Sequence, residues 1–286
     1  MKTKYRYLIL IALLTFPSFH IHAQAWRDKM KELIYTPRYF GPNAFPIPEL
    51  RNGKAASRYE VEARGEYHYF DGDKTKNLYT RVQLPLVKGR AGVEVSIRLY
   101  EEYKMTAEVV EERHAVAPES PIVCHGDVIV SSFFQLLKNP KWLDALVTIN
   151  LKTASGGRVC DARYTDAVTY WFDLNVGRNL YESPNRQFSL RLQALAGFYC
   201  WMTNDLVHRQ NDAISYGAGL SAVYRNLSLD SDFGGFYGYK SNGDNPMVLR
   251  NNLRFEYKKN ILSLRYHLGI KDNLYDSVSL GYIRCF

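Results

Sequence analysis

From Ser57 to the C-terminus, apolar and polar residues alternate one by one over stretches longer than a typical globular strand. In 261–271 the apolar set is Leu262, Leu264, Tyr266, Leu268 and Ile270, while Ser263, Arg265, His267, Gly269 and Lys271 fall between them. The stretch 188–200 sets Phe188, Leu190, Leu192, Ala194, Ala196 and Phe198 against Ser189, Arg191 and Gln193, and 216–224 repeats the pattern. Successive side chains of a strand point to opposite faces, so each stretch is a two-faced strand, of the length that crosses a bilayer at a tilt. Read this way, the chain predicts twelve strands, near 57–70, 77–87, 92–105, 126–137, 143–154, 167–181, 186–200, 214–225, 227–240, 247–258, 261–271 and 275–286.

The polar face narrows the fold class. In the first strand alone it carries Arg58, Glu60, Glu62, Arg64, Glu66 and His68. Such a face cannot fill the dry core of a soluble sandwich, because buried unpaired charge is too unfavourable; it can line a wet lumen. The connections point the same way. Counted along the chain, odd ones include 106–125, 155–166 and 201–213, all long and polar, whereas the even ones, 88–91, 138–142, 182–185, 226 and 259–260, are short. Outer-membrane barrels alternate long outer loops with short periplasmic turns in this way, and place aromatic girdles at both interfaces. The 22 tyrosines and 14 phenylalanines fit that requirement. The expected fold is all-β: a transmembrane antiparallel β-barrel of about twelve strands over 57–286, preceded by a short helix and a Pro-rich segment over 26–56.

The first 25 residues read as a signal peptide. Lys2, Lys4 and Arg6 precede an apolar core from Leu8 to Phe16, and Ala23-Gln24-Ala25 offers an A-x-A cleavage site. The core is shorter than the roughly twenty residues of a membrane helix. No cysteine stands beside the cleavage site to carry a lipid anchor. At the other end, Ser279, Gly281, Tyr282 and Phe286 lie in a stretch that resembles the C-terminal assembly signal of outer-membrane barrels, with Arg284 where that signal has an apolar residue. The resemblance implies delivery by the barrel-assembly machinery to the outer membrane of a Gram-negative envelope, and lipid as the surroundings.

Residues 26–56 break the alternation. Trp26, Met30, Leu33 and Ile34 have helical spacing. Pro42, Pro46 and Pro48 then forbid both helix and central strand. Two readings stand: a periplasmic tether, or a plug whose aromatics and prolines enter the lumen.

Residues expected to line that lumen are Arg64, Glu66, Arg98, Glu102, Lys152, Asp173, Arg191, Asp230, Arg254, Arg265 and His267. Barrel diameter grows with strand number, so twelve strands enclose a narrow lumen. Opposite charges across it either pair and close it or line a path for a small charged solute. The formal net charge of +8 is scattered singly, with three charges in the signal peptide, and nucleic-acid binding would want a basic stripe. Nothing calls for a cofactor, and Asp71, Asp73 and Asp127 lack the spacing of a metal site. Catalysis is not expected: Ser263 and His267 share a strand face but stand about 13 Å apart, too far for a nucleophile–base pair. Cys124 and Cys160 flank one hairpin at its outer end and are candidates for a disulfide, whereas Cys200 and Cys285 fall at opposite membrane edges.

Gly126-Asp127-Val128, Leu136-Leu137-Lys138, Asp144-Ala145-Leu146-Val147 and Leu151-Lys152-Thr153-Ala154-Ser155-Gly156 together form one further pattern. It resembles the hairpin of the transporter-like barrels of the phenol-degradation MetA pathway, which are akin to fatty-acid channels. Ala154 stands where that hairpin has a proline, and the resemblance covers about thirty residues. It implies a shared hairpin and transport, with no substrate carried over. The leading expectation is a non-enzymatic barrel passing small solutes through a charged lumen; the alternative is a non-conducting structural or docking subunit with envelope protein partners.

Overall fold

A computed structural model of the chain describes residues 30–117, 121–139 and 141–286. The signal peptide expected over 1–25, and the start of the helix expected from Trp26, lie outside the described residues. Residues 30–34 form a turn and extended chain rather than the continuation of that helix.

Alternation becomes strand after strand: β1 (Glu60–Phe70), β2 (Asp73–Val87), β3 (Ala91–Met105), a short β4 (Ile122–Cys124), β5 (Val128–Lys138), β6 (Asp144–Lys152), β7 (Thr169–Glu182), β8 (Phe188–Met202), β9 (Gln210–Tyr224), β10 (Leu227–Gly238), β11 (Met247–Tyr257), β12 (Asn260–Lys271) and β13 (Asp276–Cys285). Each long strand pairs antiparallel with its neighbours, and β1 pairs with both β2 and β13, so the sheet closes on itself. The β4 strand adds only to the outer end of β3, opposite Glu101–Tyr103. The barrel wall therefore has twelve strands, within a few residues of the twelve expected.

Burial is inside out relative to a soluble protein. Glu62, Arg64, Glu66 and His68 on β1 are all buried, while Val61, Tyr67 and Tyr69 on the same strand are exposed. The apolar set of β12, Leu262, Leu264 and Tyr266, is exposed as well. Apolar surface of this kind is stabilised by lipid rather than by water, and the fold is that of an outer-membrane barrel. Turns 88–90, 183–187, 225–226 and 258–259 are short at one end, and the segments 106–127 and 153–168 are long at the other. By the usual disposition of such barrels the short-turn end faces the periplasm. On β13, Ser279 and Gly281 face inward and Tyr282 faces outward. Arg284 is on the outward face at the inner rim, where Nη1 donates to Asn260 Oδ1 at 2.7 Å. Its stem can lie along apolar surface while the charge reaches a polar partner, which accounts for a basic residue at an apolar position. The Phe286 amide donates to Tyr59 O at 3.0 Å, tying the end of the chain to the start of β1.

Residues 30–58 run through the barrel from one end to the other. At the outer mouth Asn204 Nδ2 donates to Met30 O and Leu33 O, and Trp201 Nε1 donates to Tyr35 O at 2.7 Å. Halfway down, Arg250 Nη2 donates to Pro48 O at 3.0 Å and Arg265 Nη2 to Glu49 Oε1 at 2.8 Å. Near the inner rim Gln135 Nε2 donates to Gly53 O and Gly89 N to Ala56 O. Prolines withhold the donors a strand ladder needs, so the wall holds this strap by side chains reaching its carbonyls. Gly53 has φ +67, and a Cβ there would lie 2.6 Å from Asp144 O, so a side chain would push the strap off the wall.

Candidate functional site: a strapped lumen

The outer end of the lumen is shut by two different chemistries. On one side Tyr35, Phe40 and Phe45 of the strap pack with Trp171, Tyr199, Trp201 and Phe236 of the wall. Tyr199 stacks on Phe236 at 4.2 Å, and Phe45 meets Trp201 edge-on at 5.8 Å. On the other side lies a buried ionic cluster. Arg163, in the 153–168 segment, donates to Asp73 Oδ2 at 2.6 Å, Thr75 Oγ1 at 2.6 Å and Glu101 Oε1 at 3.0 Å. Arg113 and Tyr275 both donate to Asp73, and Tyr164 and Asn43 both donate to Glu101. Burial works against the Arg163 charge, but Asp73 and Glu101 outweigh it and hold its pKa well above the ordinary value.

Residues of the hairpin formed by β5 and β6 anchor this cluster. Lys152, buried, donates to Asp127 Oδ2 at 2.7 Å, and Asp127 Oδ1 accepts from Gly156 N at 2.6 Å. A Cβ on Gly126 or Gly156 would run into Tyr164 at 2.9 and 2.6 Å. The motif thus clasps the segment that delivers Arg163 and Tyr164 to the mouth, and Lys152 serves that clasp rather than the lumen surface.

Below the seal lie two polar cavities that share part of their lining. The outer one, about 160 Å³, is lined by Arg64, Glu66, Arg98, Asp173, Arg265 and His267 among others; it has room for roughly ten waters. The inner one, about 280 Å³, includes Asp230 and Arg254, which also line the opening at the periplasmic rim. Glu49, Arg51, Arg64, Tyr79, Glu94, Arg250 and Arg265 border both cavities and mark the neck where the two adjoin. Many of the charges here are matched. Arg51 bonds Glu94 at 2.7 Å, Arg64 bonds Glu62 and Glu66 at 2.8 Å each, and Arg81 bonds Glu60, Glu62 and Glu94. Arg64 also lies 4.1 Å above the Tyr79 ring, with Arg98 5.3 Å from it. Arg191 sits lower, bound to Asp144 at 2.6 Å and to the strap at Asn52 O.

Glu102 is not in the lumen. In the β2–β3 ladder Tyr100 faces Leu78 and Arg98 faces Tyr79, leaving Leu99 as an extra residue. Such a bulge reverses the facing of everything beyond it, so Glu101 turns inward, fully buried, and Glu102 turns out toward Lys76. The disulfide between Cys124 and Cys160 is not formed either: both thiols are free. Burial pushes Cys124 up to about 12 and Cys160 up to about 11.

Ser263 and His267 do not bond each other; Ser263 Oγ and His267 Nε2 are both buried without a partner. A different chain exists. Asn77 gives its Nδ2–H to Glu66, so its Oδ1 accepts from His68 Nε2 at 2.7 Å, leaving Nδ1 to accept from Ser277 Oγ at 2.7 Å. The order resembles a nucleophile–base pair, but Ser277 is inside β13, whose neighbours β1 and β12 pair at residue 277 from both sides. Backbone amides committed to the ladder cannot form an oxyanion hole, and the chain serves as part of the lumen's hydrogen-bond network. Among the described residues no group of three or more His, Cys, Asp or Glu is arranged to hold a metal.

No protein-family model matches the chain, and no curated protein does. Among solved structures, the COG4313 outer membrane channel from Pseudomonas putida F1 superposes with a TM-score of 0.56 at 13% identity, over 84% of this chain and 100% of that one. The KdgM porin gives 0.48 at 9% identity, over 79% of this chain and 99% of that one. The first is a likeness of fold, a closed outer-membrane barrel of similar extent; the second is too distant to bear on this chain.

Proposed function

We propose that the protein is a passive, non-enzymatic channel for small polar solutes, with residues 30–58 as an internal strap that holds its outer end shut. One observation carries this: the two charge-lined cavities share lining residues, the inner one shares others with the opening at the inner rim, and among the described residues the strap and the outer loops close the outer end. The description of the Pseudomonas putida barrel as an outer membrane channel supports the same reading. The Ser279–Phe286 stretch is assigned to recognition by the barrel-assembly machinery. Planar-bilayer recording tests the channel. The full chain is expected to give small, infrequent openings, and Arg265→Glu, which reverses a charge at the neck, is expected to shift the reversal potential toward cation selectivity in a salt gradient. Openings with unchanged selectivity would remove Arg265 from the path.

A second reading, a non-conducting docking subunit, draws on the sealed outer mouth together with Leu206 and Val207, 83% and 82% exposed at the tip of the 203–209 loop. A silent bilayer with a co-purifying envelope protein would favour it.

A further inference from the structure

The outer cavity contains two charges that the lumen network leaves over. Asp173, on β7, is buried and accepts hydrogen bonds only from neutral hydroxyls, Ser215 Oγ at 2.7 Å and Thr148 Oγ1 at 3.4 Å; no cation lies within ion-pair distance among the described residues. Arg51 contributes at longer range, but its guanidinium is bound by Glu94. Arg98, on β3, is the converse. Its side chain donates no hydrogen bond among the described residues, and its Nε is buried without a partner. The nearest carboxylate, Glu66 at 3.7 Å, is already bonded by Arg64 and Asn77. The other arginines of this cavity, Arg51, Arg64, Arg250 and Arg265, each bond a carboxylate at 2.8 Å or less.

A buried carboxylate without a cation and a guanidinium whose buried Nε lacks an acceptor are each unfavourable alone. They do not satisfy each other, although they line one cavity. A molecule with a cation at one end and an anion at the other, small enough for the cavity, would satisfy both. Resting on the channel reading above, we propose that the outer cavity is the binding station for a small zwitterion bearing an ammonium and a carboxylate, such as a free α-amino acid. Asp173 takes the ammonium, with the Trp171 ring lining the same cavity, and Arg98 takes the carboxylate, a geometry the guanidinium fork suits. Neutral sugars leave both charges unmet, and simple ions meet one of them.

Calorimetric titration of the purified barrel in detergent separates these classes, using L-alanine, propionate, which keeps only its carboxylate end, and ethylammonium, which keeps only its ammonium end. L-alanine is expected to bind at least about tenfold more tightly than either singly charged probe, a factor that corresponds to about 1.4 kcal/mol. Asp173→Asn, which keeps the shape and the hydroxyl partners, is expected to abolish the preference over propionate, and Arg98→Gln the preference over ethylammonium. Both variants are checked for folding by retention of the compact, heat-sensitive gel band. Equal binding of the three probes, or a preference for alanine that survives both substitutions, overturns the proposal. Alanine-driven swelling of proteoliposomes is the separate channel readout: binding without swelling sinks the channel and leaves the station, and swelling without selective binding does the reverse.

Discussion

A chain lacking residues 26–56 is expected to conduct ions several-fold better than the full chain, in long steady openings rather than brief ones. The strap's share of the seal is large: it supplies Tyr35, Phe40 and Phe45 to the aromatic cluster and Asn43 to the ionic one. It also supplies Glu49 and Arg51, two of the seven residues at the neck. Wall residues largely keep partners without it, since Glu94 retains Arg81 and Arg250 retains Asp232. The barrel should therefore still assemble, because its ladder is closed without the strap. Conductance measured in planar bilayers on both proteins checks this. Unchanged conductance would mean that the outer loops alone block the lumen.

Arg163→Ala is expected to have the largest effect on stability of any single lumen substitution, about 3–5 kcal/mol, the range for removing one partner of a buried ion pair. The guanidinium is fully buried and bonds Asp73, Thr75 and Glu101 at once, with the Tyr103 ring 4.3 Å away. Its loss leaves Asp73 with Arg113, but Glu101 has no other cation among the described residues, only Tyr164 and Asn43. The damage should be confined to the outer mouth, where the 153–168 segment and the strap at Gly41 meet this side chain. The expected observations are a lower thermal unfolding temperature in detergent and a higher open probability in bilayers. Arg163→Lys recovers little of either, because an ammonium cannot span three acceptors as a planar fork does. Native stability in Arg163→Ala would show that the cluster does not hold the mouth.

The twelve strands were legible in the sequence because a lipid-facing wall enforces period two along its whole length, and nothing at the surface competes with it. That same regularity misplaced Glu102. The polar spacing Arg98–Glu102 looks continuous, and only the pairing with β2 reveals that Leu99 is an extra residue. The sequence leaves the strap's route open between tether and lumen because its backbone bonds run to wall side chains, which leaves no periodicity to read. Three prolines and a dense run of aromatics were the available signal. The Arg163 cluster was hidden more deeply. Its partners Asp73 and Glu101 are 90 and 62 residues away in the chain, so neither spacing nor local charge pairing foretells it. Alternation alone puts Asp173 and Arg98 on the polar face, but that they stand over in the outer cavity depends on the pairs its other charges form.

The central claim, that solute passage requires the strap to leave the wall, is tested most directly by locking it there. A Cβ at Gly217 would lie 2.6 Å from Leu50 Cδ1, so the two positions face each other, and Leu50→Cys with Gly217→Cys, in a background where the four native cysteines are replaced, is the pair to cross-link, its closure checked by the loss of free thiols on oxidation. Single-channel recording on this protein should be silent when oxidised and should regain the openings of the background protein when dithiothreitol is added, reversibly. Openings of equal size and frequency in the oxidised and reduced states would contradict it.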